Sequence, residues 1–278
     1  MSISDTLQQE DESYGVDIPF GDQATRQVTP AVAYAAAAAG TAVALDAPEE
    51  RPVTRRPAVR ELLVPPWLLR SPATSAAAHR RYDRTKRALD VAVAATALVL
   101  SSPLWLVCAL AIKLDSPGPI IFAQRRSGRG GRRFVMYKFR TMVADAEARR
   151  GELAQLNERQ WPDFKIRHDP RITRVGALLR RASLDELPQL WNVLRGDMSL
   201  VGPRPTSFAI DHFLEWRRKR FDVPPGLTGI WQIYGRDEKR FDERCLLDNH
   251  YVEHRSMRLD LYLLLRTIPV LLLRPSGS

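Results

Sequence analysis

The stretch Ala88–Ile112, ALDVAVAATALVLSSPLWLVCALAI, decides how this chain is built. Its 25 residues are nearly all apolar. As one straight α-helix, a segment of that length measures roughly 37 Å, enough to cross a bilayer. Its middle is Ser101-Ser102-Pro103, where proline removes a backbone hydrogen bond and favours a kink. Both flanks are basic, with Arg80, Arg81, Arg84, Lys86 and Arg87 before it and Lys113, Arg125, Arg126 and Arg129 after it. The positive-inside rule sets both ends on the cytoplasmic side. A kinked helix that enters one leaflet and returns satisfies both observations. A single span with a proline kink and a buried soluble helix hairpin stand as alternatives. Asp90 lies near the start of the run, where a charge is costly unless paired. Arg87 or Arg84, one helical turn away, is expected to pair with it in a structural role.

Working outward, the chain divides by charge. Its 278 residues carry a formal net charge of +10 with a pI near 10.0. Residues 1–50 hold nine acids and one base, Arg26, so this block carries −8 and the remainder +18. Residues 1–80 read as a mostly disordered extension broken by Pro52, Pro57, Pro65, Pro66 and Pro72. Its one apolar run, AVAYAAAAAG, is too short and too weakly apolar to span a bilayer, and a basic signal-peptide start is absent. The basic remainder favours an anionic partner: nucleic acid, an anionic membrane surface or a phosphorylated substrate. Cys108 and Cys245 have no metal-ligand spacing and form no disulfide framework, which points to a reducing compartment.

After the apolar run, Ile120–Met142 places two β-prone segments around SGRGG and reads as a hairpin. Its glycines match no nucleotide-binding fingerprint. Arg125, Arg126, Arg129, Arg132 and Arg133 read as a basic face toward lipid headgroups. Lys138 and Arg140 are expected to point inward. Ala144–Asn157 is polar and helix-prone and leads to a surface segment ending near Trp161-Pro162.

The densest chemistry lies in Arg180–Pro205, RRASLDELPQLWNVLRGDMSLVGPRP. It combines an acid pair, Asp185 and Glu186, with arginines and a rigid Pro-Arg-Pro segment. That is what a phosphate-handling site needs: a carboxylate to attack or to hold a metal, and cations to hold the anion. Ser183 and Glu186 have capping-box spacing, which places the acids in the first turn of a helix. By that spacing alone, Glu186 capping the helix and Asp185 favouring its dipole is an equally open reading.

Phe208–Phe221 reads as one helix, and Pro224–Asp237 as a turn with a strand-like segment ending at Arg236. His250-x-x-Glu253-His254 matches the inverted zinc-peptidase pattern, but no third ligand is evident and a polar helix face accounts for it. The apolar C-terminal run, interrupted by Arg266 and Pro269, reads as an interfacial helix with Arg258, Arg266 and Arg274 reaching headgroups.

In order, these pieces are a basic-flanked apolar hairpin with Ser-Pro, then YKFRTM, SLDELPQLWNVLRGDMSLVGPRP, PGLTGIWQIYGR and DxxYVxxxS. The set resembles the bacterial sugar transferase family, the monotopic polyprenyl-phosphate phosphoglycosyl transferases, and most of all members that initiate exopolysaccharide repeat units. The resemblance covers about residues 80–278.

The resemblance implies an α-dominated α+β fold. A re-entrant membrane helix hairpin (88–112), amphipathic interfacial helices and a small β-hairpin would surround an active site on the cytoplasmic face of the inner membrane. The transferase domain would run over 81–278. It implies transfer of a sugar-1-phosphate from a UDP-sugar to undecaprenyl phosphate, through a phospho-aspartate, giving UMP and a lipid-linked diphospho-sugar. It implies Mg²⁺, with Asp185 as nucleophile and metal ligand and Glu186 as its catalytic partner. Arg180, Lys138 and Arg236 match positions associated with phosphate, and Ser102-Pro103 matches the break of the re-entrant helix. Arg204, held between two prolines, is read as a rigid clamp for a phosphate or the uridine.

The expected partners are the UDP-sugar, undecaprenyl phosphate and the bilayer, with no nucleic acid; a homo-oligomer is left open. A membrane-surface nucleic-acid binder lacks the aromatic-basic interleaving of a known module. A catalytically dead scaffold fits poorly with an intact acid pair.

Overall fold

The computed structural model describes residues 76–158, 164–234 and 241–273. Expectations for residues 1–75, for Trp161-Pro162, and for Arg236 and Arg274 lie outside the described residues. The chain forms two units: Met1–Arg56 with Glu147–Ile166, and Pro57–Ala146 with Arg167–Ser278. In the first, the helix expected over 144–157 is replaced by two 3-10 turns, Ala148–Arg150 and Ala154–Leu156. There Arg150 pairs with Glu147 at 2.8 Å and lies 5.2 Å over the Phe164 ring.

The second unit is built on helix α1, Ala76–Asp115, a single helix of 40 residues. It starts inside the segment expected to be disordered extension. Pro103 does not end it, and the reason is local. Proline leaves the carbonyl four residues earlier, that of Val99, without its helical donor. The Ser102 hydroxyl donates to that carbonyl at 2.8 Å. Ser101 donates to Leu98 O at 3.4 Å and accepts from Trp105 Nε1 at 3.2 Å. The Ser-Ser-Pro triplet is thus repaired within the helix, so the expected hairpin does not appear as two helices. A soluble helix hairpin is excluded by the same continuity.

Two faces of α1 are apolar. One packs on the domain through buried Ala94, Cys108 and Ile112, with Trp105 edge-on to Phe139 at 5.1 Å. The other carries Val99, Leu100, Leu106, Val107, Leu110 and Leu114, each 60–80% exposed. Asp90 is buried, as a structural charge must be when it is satisfied, but its partner is not Arg84 or Arg87. Its Oδ1 accepts from the Leu200 amide at 3.0 Å. Arg87 donates instead to the Val193 and Leu194 carbonyls, capping another helix.

The antiparallel hairpin follows as expected, with β1 (Ile121–Ser127) paired to β2 (Arg133–Phe139). Next come α2 (Arg174–Arg181), a 3-10 turn at Leu184–Glu186, and α3 (Gln189–Arg195), which ends at Gly196 with φ +88°. Strand β3 (Ser199–Val201) pairs in parallel with β4 (Gly226–Thr228). Between them, the single helix expected over 208–221 is broken into Ile210–His212, α4 (Glu215–Arg218) and Lys219–Asp222. The breaks are extended residues at Phe213 and Leu214, which let Phe213 pack edge-on to Phe221 at 5.1 Å in the core. The segment after β4 turns into α5 (Ile230–Tyr234) rather than continuing as strand. Helices α6 (Phe241–His254) and α7 (Met257–Leu273) complete the unit. Helix α7 is two-faced, with Leu259 and Leu263 buried and Leu265 and Ile268 more than half exposed.

The core joins α1, β2, α3, β3, α5, α6 and α7 through residues such as Met136, Val193, Val201, Ile230 and Leu259. The loop after β3 is locked onto β4 by backbone bonds, Gly226 N to Pro203 O at 2.7 Å and Gly202 N to Thr228 O at 2.9 Å. A methyl group on Gly226 would overlap the Gly202 amide. Gly226→Ala is therefore expected to destabilise the protein by about 2–4 kcal/mol, since the obstruction is backbone and has no rotamer to relieve it. Chemical denaturation of the variant checks this.

Candidate active site

The acid pair sits where α2 stops and α3 begins. Ser183 adopts a left-handed conformation, φ +56°, and its side chain makes no cap hydrogen bond, so the capping box is not formed. A non-glycine residue there carries strain of roughly 1–2 kcal/mol. The turn re-aims the chain so that Asp185 and Glu186 occupy a 3-10 turn beside β2, not the first turn of a long helix. The helical-cap reading of Glu186 is thereby set aside.

Glu186 Oε1 is 3.1 Å from Lys138 Nζ and 3.1 Å from Arg204 Nη2. Lys138 Nζ is 4.0 Å from Asp185 Oδ2. Burial alone would raise the Glu186 carboxyl, but Lys138 and Arg204 outweigh it and bring it down to about 2. The Asp185 carboxyl goes the other way: burial, reinforced by the Glu186 charge, lifts it above the usual aspartate value, with Lys138, Arg180 and Arg204 opposing. Burial also lowers Lys138, with Glu186 opposing. Two adjacent carboxylates thus have separate tasks. Glu186 gathers the cations, and Asp185 is left buried and accepting no hydrogen bond among the described residues.

Three of the four expected phosphate-binding cations therefore converge. Lys138 comes from β2, Arg204 from the loop after β3, and Arg180 from the last turn of α2. Arg180 Nε is anchored on Thr141 Oγ1 at 2.8 Å. The fourth, Arg236, is outside the described residues. Arg140 points inward as expected but serves the scaffold. It donates to the Pro117 and Ser116 carbonyls just past α1 at 2.8 and 2.7 Å. Ser102 and Pro103 lie on the exposed face of α1.

Several supporting residues were not singled out in the sequence. Asn192 clamps the strand that carries Lys138: its Nδ2 donates to Val135 O at 2.7 Å and its Oδ1 accepts from Tyr137 N at 3.1 Å. The available signal was a polar residue inside the apolar LPQLWNVL run. Asp260 accepts from Tyr82, Lys86 and Tyr251 at 2.8, 3.0 and 2.7 Å. It shows in the sequence only as one acid in a strongly apolar segment.

His250, Glu253 and His254 offer ligand atoms within 4.8 Å of one another. Glu253, the base of the zinc-peptidase pattern, is held by Lys219 at 2.7 Å, and His254 Nδ1 lies 3.0 Å from His250 O. Among the described residues no ligand from another element joins them.

The buried acid pair is thus ringed by Lys138, Arg180 and Arg204, on a unit that also carries an outward apolar helix face. The chain belongs to the bacterial sugar transferase family, whose model matches residues 81–274. It is 39% identical over 201 residues to exopolysaccharide production protein ExoY of Sinorhizobium fredii, covering 68% of this chain and 86% of that protein. It is 45% identical over 199 residues to the UDP-glucose:undecaprenyl-phosphate glucose-1-phosphate transferase of Caulobacter vibrioides, covering 68% and 70%. It is 40% identical over 194 residues to the undecaprenyl-phosphate galactose phosphotransferase of Salmonella typhimurium, covering 68% of this chain and 40% of that longer protein.

Proposed function

We propose that this protein transfers a sugar-1-phosphate from a UDP-hexose to undecaprenyl phosphate, releasing UMP, as the first step of exopolysaccharide repeat-unit assembly. The observation that carries the reading is the placement of Lys138 and Arg204 on one oxygen of Glu186, with Lys138 also at 4.0 Å from Asp185. The Asp185 carboxylate attacks the phosphorus next to the sugar. The bond from that phosphorus to the UMP oxygen breaks, and UMP leaves with the electron pair. An oxygen of the lipid phosphate then attacks the same phosphorus and frees the carboxylate. Splitting the transfer lets a soluble nucleotide and a lipid use one site in turn. Lys138, Arg180 and Arg204 neutralise the diphosphate, without which an anionic nucleophile cannot approach it. Mg²⁺ fits the donor set, because Asp185 presents hard carboxylate oxygens that accept no hydrogen bond among the described residues. When bound, the ion would neutralise phosphate charge and stabilise the leaving UMP.

UMP release from a panel of UDP-sugars, with Mg²⁺ and undecaprenyl phosphate in detergent, tests this and names the donor. UDP-glucose and UDP-galactose head the panel, since two of the relatives are named as a glucose-1-phosphate transferase and a galactose phosphotransferase. Absence of release with every UDP-sugar from folded protein would overturn the reading. The raised Asp185 carboxyl sets the pH dependence. The nucleophile must be ionised, so kcat/KM is expected to fall with decreasing pH at a value above the ordinary aspartate range. A pH–rate profile measures that limb.

The membrane arrangement we propose is monotopic, on the cytoplasmic face of the inner membrane. Both ends of the apolar run are tied to the same domain. Asp90 accepts from Leu200 N at 3.0 Å, and Asp115 accepts from Val175 N at 2.9 Å. A span would separate those ends by a bilayer. The exposed stripe from Val99 to Leu114 then lies toward the lipid of one leaflet. Cysteines placed at Arg81 and Lys113 are expected to react with an impermeant maleimide only from the cytoplasmic side. Labelling of one of them from the periplasmic side contradicts this topology.

A further inference from the structure

The Pro203-Arg204-Pro205 segment is short of donors. Neither proline has an N–H, so the backbone here is held mainly through its carbonyls. Gly226 N holds the Pro203 carbonyl at 2.7 Å. The next carbonyl, that of Arg204, is held by a side chain from a distant element: Arg220 Nη2 donates to it at 2.8 Å. Arg220 lies on the Lys219–Asp222 turn and is 6% exposed. The same nitrogen is 2.8 Å from Asp248 Oδ2 on α6, and Asp248 is 1% exposed. Arg220 Nη1 faces Cys245 Sγ at 3.5 Å, and the Phe213 and Phe241 rings lie 5.8 and 5.9 Å from the guanidinium.

Burying an ion pair gains little net stability, because desolvation offsets the attraction. Here the offset is evident: burial pushes the Asp248 carboxyl up to about 7 even beside Arg220. The pair is therefore an expensive way to hold α6 against the turn, and what it reaches at the site is Arg204: Arg220 holds its backbone carbonyl, and the Asp248 carboxylate lies close enough to feel its charge. Arg204 in turn shares the Glu186 Oε1 oxygen with Lys138 of β2, at 3.1 Å.

We propose that Arg220 and Asp248 are positioning residues for Arg204: the buried pair fixes its backbone and so aims its guanidinium at the acid pair. The proposal rests on the reading of Arg204 as a phosphate contact. It assigns part of the nucleotide-sugar binding energy to two residues that do not touch the substrate.

A double-mutant cycle on KM for the UDP-sugar tests it in the full-length, detergent-purified enzyme. One arm is Arg204→Ala. The other is the paired change Arg220→Met with Asp248→Leu, which removes both charges and so leaves none buried and unpaired. Each arm is expected to raise KM about tenfold, a loss of one contact worth about 1.4 kcal/mol. The combination is expected to raise it no further than Arg204→Ala alone. Arg220→Lys, which keeps Asp248 paired but loses the forked geometry, gives a second measurement should the paired change not fold. It is expected to raise KM severalfold with an unchanged melting midpoint, and in the Arg204→Ala background to have no effect. Multiplying KM effects in the cycle, or an unchanged KM in both Arg220 variants while Arg204→Ala raises it, would overturn the positioning role alone. An unchanged KM in Arg204→Ala would instead remove the phosphate contact itself.

Discussion

Asp185→Asn is expected to lower UMP release by about a thousandfold or more, since an amide cannot serve as the attacking oxygen in the first step. The same substitution is expected to leave the melting midpoint unchanged or slightly raised. The sign follows from the environment. Asp185 is 8% exposed and its carboxyl is raised by burial in the folded state, so at neutral pH its charge disfavours folding. Removing that charge removes the penalty. Glu186→Gln should separate cleanly from it. The Glu186 carboxyl is lowered to about 2 by Lys138 and Arg204, which outweigh burial. Its contribution to stability is therefore present above about pH 4.5 and lost as pH falls toward 2. At neutral pH Glu186→Gln forfeits it and leaves Lys138 short of a partner, so the midpoint should drop. Activity together with thermal melting, on both variants, checks the pair. A lower midpoint in Asp185→Asn than in Glu186→Gln would contradict the division of labour between the two acids.

The largest effect on stability is expected at Asp260. One carboxylate there receives Tyr82 and Lys86 from α1 and Tyr251 from α6, all within 3.0 Å, while Asp260 itself is 1% exposed. Tyr251 also donates to Val201 O at 3.1 Å, so the cluster joins α1, β3, α6 and α7. Burial, with the Asp260 charge adding to it, raises both tyrosine hydroxyls well above their ordinary value, so they remain donors throughout the working range. Asp260→Asn leaves the Lys86 ammonium buried without its counter-charge, a change of about 3–5 kcal/mol. For a domain of this size that is roughly 6–20 °C in melting midpoint. Adding Lys86→Met to Asp260→Asn should recover a good part of the loss. A midpoint within a degree or two of wild type in Asp260→Asn would show that the cluster is not a structural weld.

What could be read from the sequence was governed by local chemistry. The β-hairpin followed from two β-prone runs around glycines, and the acid pair with Lys138 and Arg204 followed from residue types and a motif order long enough to identify the family. Elements that depend on tertiary contacts were misread. The capping box at Ser183 failed because the chain needs a left-handed reversal there. The helix expected over 208–221 broke because burying Phe213 and Phe221 against each other outweighed helical propensity. Asp90 was recognised as structural, yet its partner is a backbone amide 110 positions away, which no helical spacing reveals. The continuity of α1 across Pro103 was legible in principle. The Ser102 hydroxyl beside the proline takes up the carbonyl that the proline leaves without a donor. The long-range supports of the site, Asn192, Arg220 with Asp248, and Asp260, share one trait: each is a polar residue that burial makes expensive unless a specific partner meets it.

The central claim is that Asp185 carries the sugar phosphate covalently. Intact-protein mass spectrometry after incubation with the donor UDP-sugar and Mg²⁺, without lipid acceptor, tests it most directly. The expected result is an adduct of one hexose phosphate, mapped by peptide analysis to Asp185, absent from Asp185→Asn and discharged when undecaprenyl phosphate is added. UMP release that requires the acceptor, with no adduct formed in its absence, would contradict the covalent route and leave a direct displacement in its place.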